Sequence, residues 1–240
     1  MIRFLYVIIM NLFRAPYIIL KMRTQAQNIE KYSMEKRYHL ARHVVHIMKI
    51  TGKITTTAHG LENLPSENGY IMFPNHQGKF DALGIIDTHR RPCSIVMDKM
   101  KSNTILVKEF IDLLQGKRLE KDNVRQALRV INEVSEEVKD GKNYIIFPEG
   151  GYEFYTQNTV SEFKAGTFKC AYKAMAPIVP VAIIDSYKVF SGLSLKPVSA
   201  QIHYLKPIPY ESYRTMKTAE TALYVQNMIQ EYIERQINLD

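Results

Sequence analysis

The chain has 240 residues, of which 46% are hydrophobic and 23% are charged, and its formal net charge is +8. This length and composition are enough to bury a substantial core, and they exclude a disordered or fibrous chain. Two cysteines, Cys93 and Cys170, and no C-x-x-C pair exclude a disulfide-stapled fold and a cysteine-based metal site. We therefore expect a globular protein of a reducing compartment.

The positive charge is concentrated at the N-terminal end. Residues 1–60 contain ten Lys and Arg against two acidic residues, whereas the remaining 180 residues contain 22 of each sign. A neutral body argues against a nucleic-acid-binding protein, whose basic groups cluster on the binding face. The distribution predicts a basic N-terminal unit, residues 1–52, followed by a neutral globular domain, residues 53–240.

Residues 1–20 are strongly apolar, but Asn11, Arg14 and Pro16 interrupt the run. A helix that spanned a bilayer here would hold Arg14 in the hydrocarbon at a cost of about 2.5–3.5 kcal/mol. No small-x-small cleavage site follows, as a signal peptide would require. We expect this segment to lie in the headgroup region of a membrane.

Residues 28–50 have the pattern of a basic amphipathic helix. At 100° per residue, one apolar stripe contains Met34, Tyr38, Ala41, Val45 and Met48. Such a helix binds a membrane surface or packs on its own domain, and both can hold. The opposite face carries a row of three histidines, His39, His43 and His46. Because no carboxylate completes that row and cations surround it, we expect no metal there.

From residue 53 onward, strand patterns alternate with helix patterns. The predicted strands are Lys53–Ala58, Gly69–Pro74, Pro92–Asp98, Lys142–Pro148, Ile178–Asp185 and Val198–Leu205. The predicted helices are Ser102–Gln115, a helix capped by Asp122 or Asn123 that stops at Gly141, Glu162–Met175 and Thr218–Ile237. This alternation predicts an α/β fold with a mixed, largely parallel sheet flanked by helices.

Two blocks with reactive side chains follow predicted strand ends. In residues 73–81, His76 lies at a strand exit, and Asp81 could orient its imidazole if the chain turns sharply. The alternative is a buried His–Asp pair without a catalytic role. In residues 144–151, a strand leads into Glu149, Gly150 and Gly151, where backbone amides can approach an anion closely. The alternative there is an ordinary turn.

Two further blocks are less specific. Residues 116–123 predict a cationic strand before a capped helix, where Arg118 and Lys121 could contact a phosphate. The alternative is a solvated edge. Residues 177–181, preceded by residues 163–166, are apolar and predict a core strand or the wall of an acyl-chain site.

Taken in this order, the blocks resemble the glycerolipid acyltransferase superfamily, and most closely the 1-acylglycerol-3-phosphate acyltransferases. The resemblance runs from about Gly69 to Ile184, and its most specific elements are N-H-x4-D at Asn75–Asp81 and F-P-E-G at Phe147–Gly150. It implies a glycerol-3-phosphate acyltransferase-like α/β domain, preceded by a membrane-associated pair of helices.

The resemblance also implies roles for individual residues. It makes His76 the general base and Asp81 its orienting partner. The residues implied for substrate binding are Asn75, Arg118, Lys121, Glu149, Gly150, Gly151 and Lys164. The chain departs from the family pattern at Lys121, where an arginine is usual, and at Gly151-Tyr152-Glu153, where Thr-Arg-Ser is frequent. The second departure removes a hydroxyl and a cation and adds an anion, which leaves the acceptor headgroup open.

We therefore expect an O-acyltransferase that makes phosphatidate from 1-acylglycerol-3-phosphate, with acyl-CoA or acyl-carrier protein as co-substrate and without a metal or cofactor. We expect it to be monotopic and membrane-associated at the cytoplasmic face, with lipids as partners and no nucleic acid. One alternative is an acyltransferase for another lysolipid or an amino-acid lipid. The other is a non-catalytic, basic peripheral membrane protein.

Overall fold

A computed structural model describes residues 2–120, 123–152 and 156–238. Its centre is a seven-stranded sheet in the order β1-β7-β6-β2-β5-β3-β4. The strands are β1 (Ile54–His59), β2 (Ile71–Pro74), β3 (Cys93–Asp98), β4 (Lys117–Leu119), β5 (Asn143–Ile146), β6 (Ile178–Ile184) and β7 (Val198–Tyr204). The six predicted strands are confirmed, and the short β4 lies in the predicted cationic block.

Five of the strands run in one direction. β2 pairs in parallel with β5 and β6, and β3 pairs in parallel with β5 and β4. β7 is antiparallel to β6 and parallel to β1. The predicted mixed, largely parallel sheet is therefore confirmed. The carboxyl ends of β2 to β6 meet at one edge of the sheet, which we call the carboxyl edge.

Helices cover both faces of this sheet. They are α1 (Ile2–Met10), α2 (Ala15–Gln27), α3 (Met34–Gly52), α4 (Asp81–Thr88), α5 (Lys99–Ser102), α6 (Val107–Leu113), α7 (Val124–Lys139), α8 (Lys169–Ala174), α9 (Tyr187–Ser191), α10 (Tyr210–Tyr213) and α11 (Thr218–Ile237). Short 3₁₀ helices occupy Leu61–Asn63 and Ala165–Phe168. The predicted bounds of α11 are confirmed, and so is the cap of α7, where the Asn123 side chain accepts a hydrogen bond from the Gln126 amide at 3.0 Å.

Alternate residues of the strands pack into two separate hydrophobic cores. Ile71 and Phe73 of β2 point to the core beneath α7, α8 and α11, whereas Met72 points to the core beneath α3, α4 and α6. This period of two is the expected consequence of strand geometry. Burial on both faces explains why β2 and β6 are continuous apolar runs.

The N-terminal helices pack against the body through buried cations. The Arg3 guanidinium, 3% exposed, donates to the carbonyl oxygens of Gly52 at 2.5 Å, Ser194 at 3.0 Å and Lys196 at 2.6 Å. Arg37 of α3 is equally buried and donates to the Leu113 carbonyl at 2.9 Å. Both residues therefore hold helices to the body, although they are part of the positive charge of the N-terminal 60 residues.

The apolar stripe of α3 lies on its own domain. Tyr38, Ala41 and Val45 are at most 1% exposed in the core beneath α3. α3 begins at Met34 rather than near residue 28, because Ser33 caps it by accepting from the Lys36 amide. No single helix in the described part of the chain is long and apolar enough to cross a bilayer. α1 and α2 pass that test only as a pair, bent by 86°.

Two helix predictions need correction, and one helix was missed. Within the predicted helix 102–115, only Val107–Leu113 is helical beyond Ser102, the last residue of α5, because the chain turns at Asn103 and Leu106 adopts a φ of +72°. Most of the first half of the predicted helix 162–175 is extended or 3₁₀, since the Lys164 amide is held by the Pro148 carbonyl at 3.0 Å. α4 was not predicted at all, and it begins at Asp81 itself.

Candidate active site

His76 lies at the carboxyl edge, two residues beyond β2. Asn75 fixes this strand exit by a two-way bond to β6. Its amide nitrogen donates to the Ile183 carbonyl at 3.0 Å, and its oxygen accepts from the Ile183 amide at 2.7 Å. The Asn75 side chain is buried and fully engaged with backbone. The structure therefore places this residue as a support beneath His76, while its predicted contact with substrate stays a prediction.

The His76 imidazole is paired with Asp81. Nδ1 of His76 lies 2.6 Å from Oδ2 of Asp81. The sharp turn that the pairing requires is made by residues 77–80, directly before α4. A carboxylate at Nδ1 holds the proton on that nitrogen and leaves Nε2 as an acceptor. This is the orientation that a general base requires.

The Asp81 carboxylate is itself held by three donors besides His76. The amides of Gln77 and Gly78 donate to Oδ2 at 2.6 and 2.8 Å, and the Ser186 hydroxyl donates to Oδ1 at 2.5 Å. Asp81 has no exposed surface. Its position in the first turn of α4 also suits the positive end of the helix dipole. An aspartate with these partners is rigid and cannot easily rotate away from the imidazole.

Sequence reasoning missed the polar network around this carboxylate. The Ser186 amide donates to Gln77 Oε1 at 2.9 Å, and Gln77 Nε2 donates to Asn158 Oδ1 at 2.8 Å. Asn158 in turn donates to Asp185 Oδ1 at 3.0 Å. A usable signal existed, because Asp185 and Ser186 are polar residues directly after a buried strand, at the same edge as His76.

Glu149 enters the site from the end of β5. Its Oε1 accepts a hydrogen bond from the His76 amide at 2.9 Å, and the side chain is 9% exposed. Burial raises the pKa of Glu149 to about 7, and the nearby charge of Asp81 adds to this. Hydrogen bonds from the His76 amide and from Ser161 act in the opposite direction. Glu149 therefore ties the turn after β5 to the backbone of His76.

Gly150 and Lys164 lie against each other beside Glu149. Gly150 has a φ of +72°, and a Cβ added there would lie 2.8 Å from the Lys164 ammonium nitrogen. A side chain at this position would thus be strained and would displace the ammonium group. The predicted glycine turn and the predicted cation are therefore together, with Gly151 half-buried next to them.

Two aromatic rings contact the imidazole. The ring of Phe147 lies 4.2 Å from it, centroid to centroid, at an interplanar angle of 31°. The ring of Tyr152 lies 4.6 Å away at 71°, an edge-on arrangement. The Lys101 ammonium lies 5.4 Å from the centre of the Tyr152 ring. Neither Tyr152 nor Lys101 was assigned a role from sequence.

The predicted phosphate-binding residues are not all brought to this place. Arg118 is three strands away from β2 and is paired with Asp112 at 2.6 Å. It lines a separate cavity of about 640 Å³ with Arg23 and Lys108. Lys121 lies outside the described residues. The site thus contains His76, Asp81, Glu149, Gly150 and Lys164, with Arg118 apart from them.

The chemistry open to this arrangement is base catalysis next to an anion site. An oriented imidazole can remove a proton from a hydroxyl group, and an ammonium group with glycine amides can hold an anion. Within residues 2–120, 123–152 and 156–238, no cluster of three or more His, Cys, Asp or Glu side chains is arranged to hold a metal ion.

The comparisons with known proteins agree with this chemistry. A family model described as Acyltransferase matches residues 55–184. The chain is 28% identical over 198 residues to a 1-acyl-sn-glycerol-3-phosphate acyltransferase of Saccharomyces cerevisiae, which covers 79% of this chain and 63% of the yeast protein. It is 25% identical over 161 residues to a probable enzyme of the same name from Mycoplasma pneumoniae, covering 65% of this chain and 59% of that protein. The chain thus matches about three fifths of the length of these two relatives.

A solved structure shows the same fold. The crystal structure of the 1-acyl-sn-glycerophosphate acyltransferase of Thermotoga maritima superposes with a TM-score of 0.71. The match covers 93% of this chain and 96% of the other, at 19% sequence identity. The α/β architecture is therefore shared with that protein.

Proposed function

We propose that this chain, which belongs to the Acyltransferase family, transfers a fatty acyl group to the free hydroxyl of 1-acylglycerol-3-phosphate and so makes phosphatidate. The donor is acyl-CoA or acyl-carrier protein, and no metal or cofactor takes part. The observation that carries the proposal is the 2.6 Å contact between His76 Nδ1 and Asp81 Oδ2. It leaves Nε2 of His76 as the proton acceptor that a hydroxyl nucleophile needs.

The reaction proceeds by direct transfer in this proposal. His76 Nε2 takes the proton as the acceptor oxygen attacks the thioester carbonyl, so that a carbon–oxygen bond forms. The carbon–sulfur bond then breaks, and the imidazolium returns its proton to the leaving sulfur. Asp81 holds the imidazole tautomer and stabilises the imidazolium, the same division of labour as in a Ser-His-Asp triad. The lipid hydroxyl is the nucleophile, so the enzyme needs no serine or cysteine for this role.

The acceptor phosphate is bound beside Gly150 in this proposal. Lys164 supplies a cation there, and the backbone amides near Gly150 and Gly151 supply donors. Glu149 supports the site from its bond to the His76 amide. Arg118 and Lys121 stay candidates from the family resemblance, and Arg118 would have to leave Asp112 to take part.

Membrane association follows from the N-terminal surface in this proposal. α1, α2 and their connection expose large apolar side chains, namely Ile2, Leu5, Ile9, Met10, Leu12, Phe13, Tyr17 and Leu20. Residues 1–29 contain no acidic residue, whereas Arg14, Lys21 and Arg23 are basic. An apolar surface with cations around it binds the interface of an anionic membrane. We place the enzyme on the cytoplasmic face, where its amphiphilic acceptor is within reach.

A thiol-release assay tests the activity. Purified full-length protein is given acyl-CoA or acyl-carrier-protein thioester with a panel of lysolipids, and release of the free thiol is followed. We expect release with 1-acylglycerol-3-phosphate, and a loss of about 10²–10⁴ in kcat for His76→Ala. We expect Asp81→Asn to lower kcat by a similar factor, because an amide cannot replace a carboxylate that accepts four hydrogen bonds. Circular dichroism confirms that each variant is folded.

The panel also separates the competing functions. Full activity in a folded His76→Ala variant contradicts the mechanism. Release with another lysolipid or an amino-acid lipid, but not with 1-acylglycerol-3-phosphate, changes the acceptor. No release with any acceptor or donor favours the non-catalytic peripheral membrane protein.

A further inference from the structure

We propose that Ser186 is a positioning residue of the active site, which fixes the Asp81 carboxylate in the orientation that holds the His76 imidazole. A closed ring of hydrogen bonds around Ser186 keeps its hydroxyl in place. This inference rests on the proposed function, because it gives Ser186 a role in the transfer step, and that role is exerted through Asp81.

The Ser186 hydroxyl holds one of the two oxygens of the Asp81 carboxylate. This oxygen, Oδ1, accepts from the hydroxyl at 2.5 Å. The other oxygen, Oδ2, lies 2.6 Å from His76 Nδ1 and also accepts from the amides of Gln77 and Gly78. Because Asp81 has no exposed surface, water cannot replace a donor that is lost, and a buried acceptor without its donor is costly. Both oxygens are therefore fixed only while Ser186 is present.

The direction of the Ser186 side chain is not explained by the helix that it begins. Ser186 is the N-cap residue of α9, a position at which a serine oxygen usually accepts a hydrogen bond from an amide of the first turn. Here the side chain makes no such bond, and the backbone has the helical angles φ −62° and ψ −28°. The hydroxyl donates to Asp81 instead. The side chain thus stabilises the carboxylate and not the end of the helix.

The ring of hydrogen bonds fixes Ser186 at the exit of β6. The Ser186 amide donates to Gln77 Oε1 at 2.9 Å, and Gln77 Nε2 donates to Asn158 Oδ1 at 2.8 Å. Asn158 Nδ2 donates to Asp185 Oδ1, and Asn158 Oδ1 accepts from the Asp185 amide, each at 3.0 Å. Asp185 precedes Ser186 and closes the ring. Its φ of +63° is uncommon for a residue other than glycine and needs such support from its surroundings.

Loss of the hydroxyl releases the carboxylate from the orientation that His76 needs. Rotation about the Cβ–Cγ bond of Asp81 can bring Oδ1 to a backbone amide, but the same rotation moves Oδ2 away from His76 Nδ1. The proton is then no longer held on Nδ1, and Nε2 carries it for part of the time. An Nε2 that carries a proton cannot accept one from the acceptor hydroxyl. Ser186 is 1% exposed, so it acts through Asp81 and not on the substrate.

Kinetics of the full-length enzyme test this role. We expect Ser186→Ala to lower kcat about tenfold, because it removes one hydrogen bond to a charged group, and to change the KM of either substrate less than about twofold. Ser186→Thr keeps the hydroxyl and should restore most of the loss. Asn158→Ala opens the ring and should lower kcat less than Ser186→Ala does. Ser191→Ala is the matched control and should keep its kcat, since the Ser191 hydroxyl on the same short helix donates to the Tyr187 carbonyl.

Nitrogen NMR of the histidine rings gives a second readout, which needs no substrate. At a pH where the His76 ring is neutral, long-range proton–nitrogen correlation spectra report which ring nitrogen carries the proton, and the His76 signals are identified by their absence from His76→Ala. We expect the proton on Nδ1 in the wild type and in Ser191→Ala, and a loss of this tautomer in Ser186→Ala. A serine that served only stability would leave the tautomer unchanged.

Three results would overturn the inference. They are an unchanged kcat in folded Ser186→Ala, an unchanged His76 tautomer in that variant, and a rise in the KM of one substrate without a fall in kcat, which would assign Ser186 to substrate binding. If Ser186→Ala does not fold, the same two measurements on Asn158→Ala decide. If the wild type acylates no acceptor, the proposed function fails, and the tautomer measurement then decides the inference by itself.

Discussion

Single residues in this site have sharply different surroundings, although they are of the same type. Asp81 and Glu149 are both buried carboxyl groups that contact His76. Asp81 receives hydrogen bonds from two amides, a hydroxyl and the imidazole, which hold the carboxylate in place. Burial has the largest effect on the pKa of Glu149 and raises it to about 7. One carboxyl group can therefore support a developing imidazolium, while the other changes its charge near neutral pH.

The raised pKa of Glu149 makes the stability of the protein depend on pH. Between its ordinary value of 4.5 and about 7, the folded state binds a proton that the unfolded state releases. The stabilisation that protonated Glu149 gives to the folded state is therefore present in full below pH 4.5 and is lost as the pH rises through 7. Glu149→Gln resembles the protonated form. We therefore expect the free energy of unfolding of the variant to rise relative to that of the wild type by up to about 3 kcal/mol between pH 5 and pH 8.

Urea unfolding at pH 5, 6, 7 and 8 measures this difference. Glu62→Gln, at an exposed glutamate, is the control and should run parallel to the wild type. A difference between Glu149→Gln and the wild type that stays constant over this range would show that Glu149 does not take up a proton on folding.

At the scale of elements, α1 packs against the turn between His76 and Asp81. The ring of Phe4 lies 5.3 Å from that of Phe190, which lies 5.9 Å from that of Phe80. The Lys79 ammonium lies 5.0 Å from the centre of the Phe4 ring. Lys79 and Phe80 are the two residues directly before Asp81. The first helix of the chain therefore contacts the turn that joins His76 to Asp81.

This contact predicts an effect of Phe4→Ala on turnover. We expect a loss of about 1–3 kcal/mol in stability, because a half-buried ring is removed from a core cluster. We also expect kcat to fall about tenfold, as the turn loses one of its supports. The assay uses an acceptor dispersed in detergent, so that attachment to a bilayer does not contribute.

Leu5→Ala is the matched control, since Leu5 is adjacent and points away from the body with 56% of its surface exposed. It should change kcat in detergent less than twofold. If Phe4→Ala lowers only liposome binding and keeps its kcat in detergent, α1 is an anchor without a role in positioning the turn.

At the scale of the whole molecule, the excess positive charge and the exposed apolar side chains are concentrated at the N-terminal end of the chain. The N-terminal 60 residues carry all of the excess charge, but Arg3 and Arg37 are buried and hold helices to the body. Arg23 and Lys49 are paired with Glu109 and Asp87. Arg14 and Lys21 lie in the same segment as the exposed apolar side chains of α1 and α2. Phe13, in the connection between these helices, is 97% exposed. This surface has the composition of an interfacial membrane contact.

We expect the double variant Leu12→Asp with Phe13→Asp to lose more than about tenfold in binding to anionic vesicles, since each apolar side chain contributes roughly 1.5–3 kcal/mol when buried. Co-sedimentation with phosphatidylglycerol-containing liposomes measures it. Wild-type binding should also weaken with added salt, because exposed charges are screened.

Leu223→Asp provides the control, as Leu223 is 57% exposed on α11 and outside this surface. Co-sedimentation of the double variant at the wild-type level would rule out the connection between α1 and α2 as a membrane contact.

Several features could be predicted from sequence because local patterns determine them. The period-two and continuous apolar runs marked the strands, the helical period marked α11, and Asn123 marked the start of α7. The spacing of His76 and Asp81 allowed a pair only if the chain turned sharply between them, and the structure has that turn. The break between α5 and α6 escaped this reasoning because it depends on Leu106, an ordinary apolar residue in a left-handed conformation.

What the sequence by itself determined is therefore the alternation of the α/β fold, the uneven charge and the short spacing between His76 and Asp81. Only the tertiary structure decided which distant side chains complete the site. Ser186 contacts Asp81 across 105 positions of sequence, because β6 lies next to β2 in the sheet. Lys101 contacts the ring of Tyr152, because β3 lies next to β5. The order of parallel strands arises from packing two cores at once, and no local pattern in the chain encodes it.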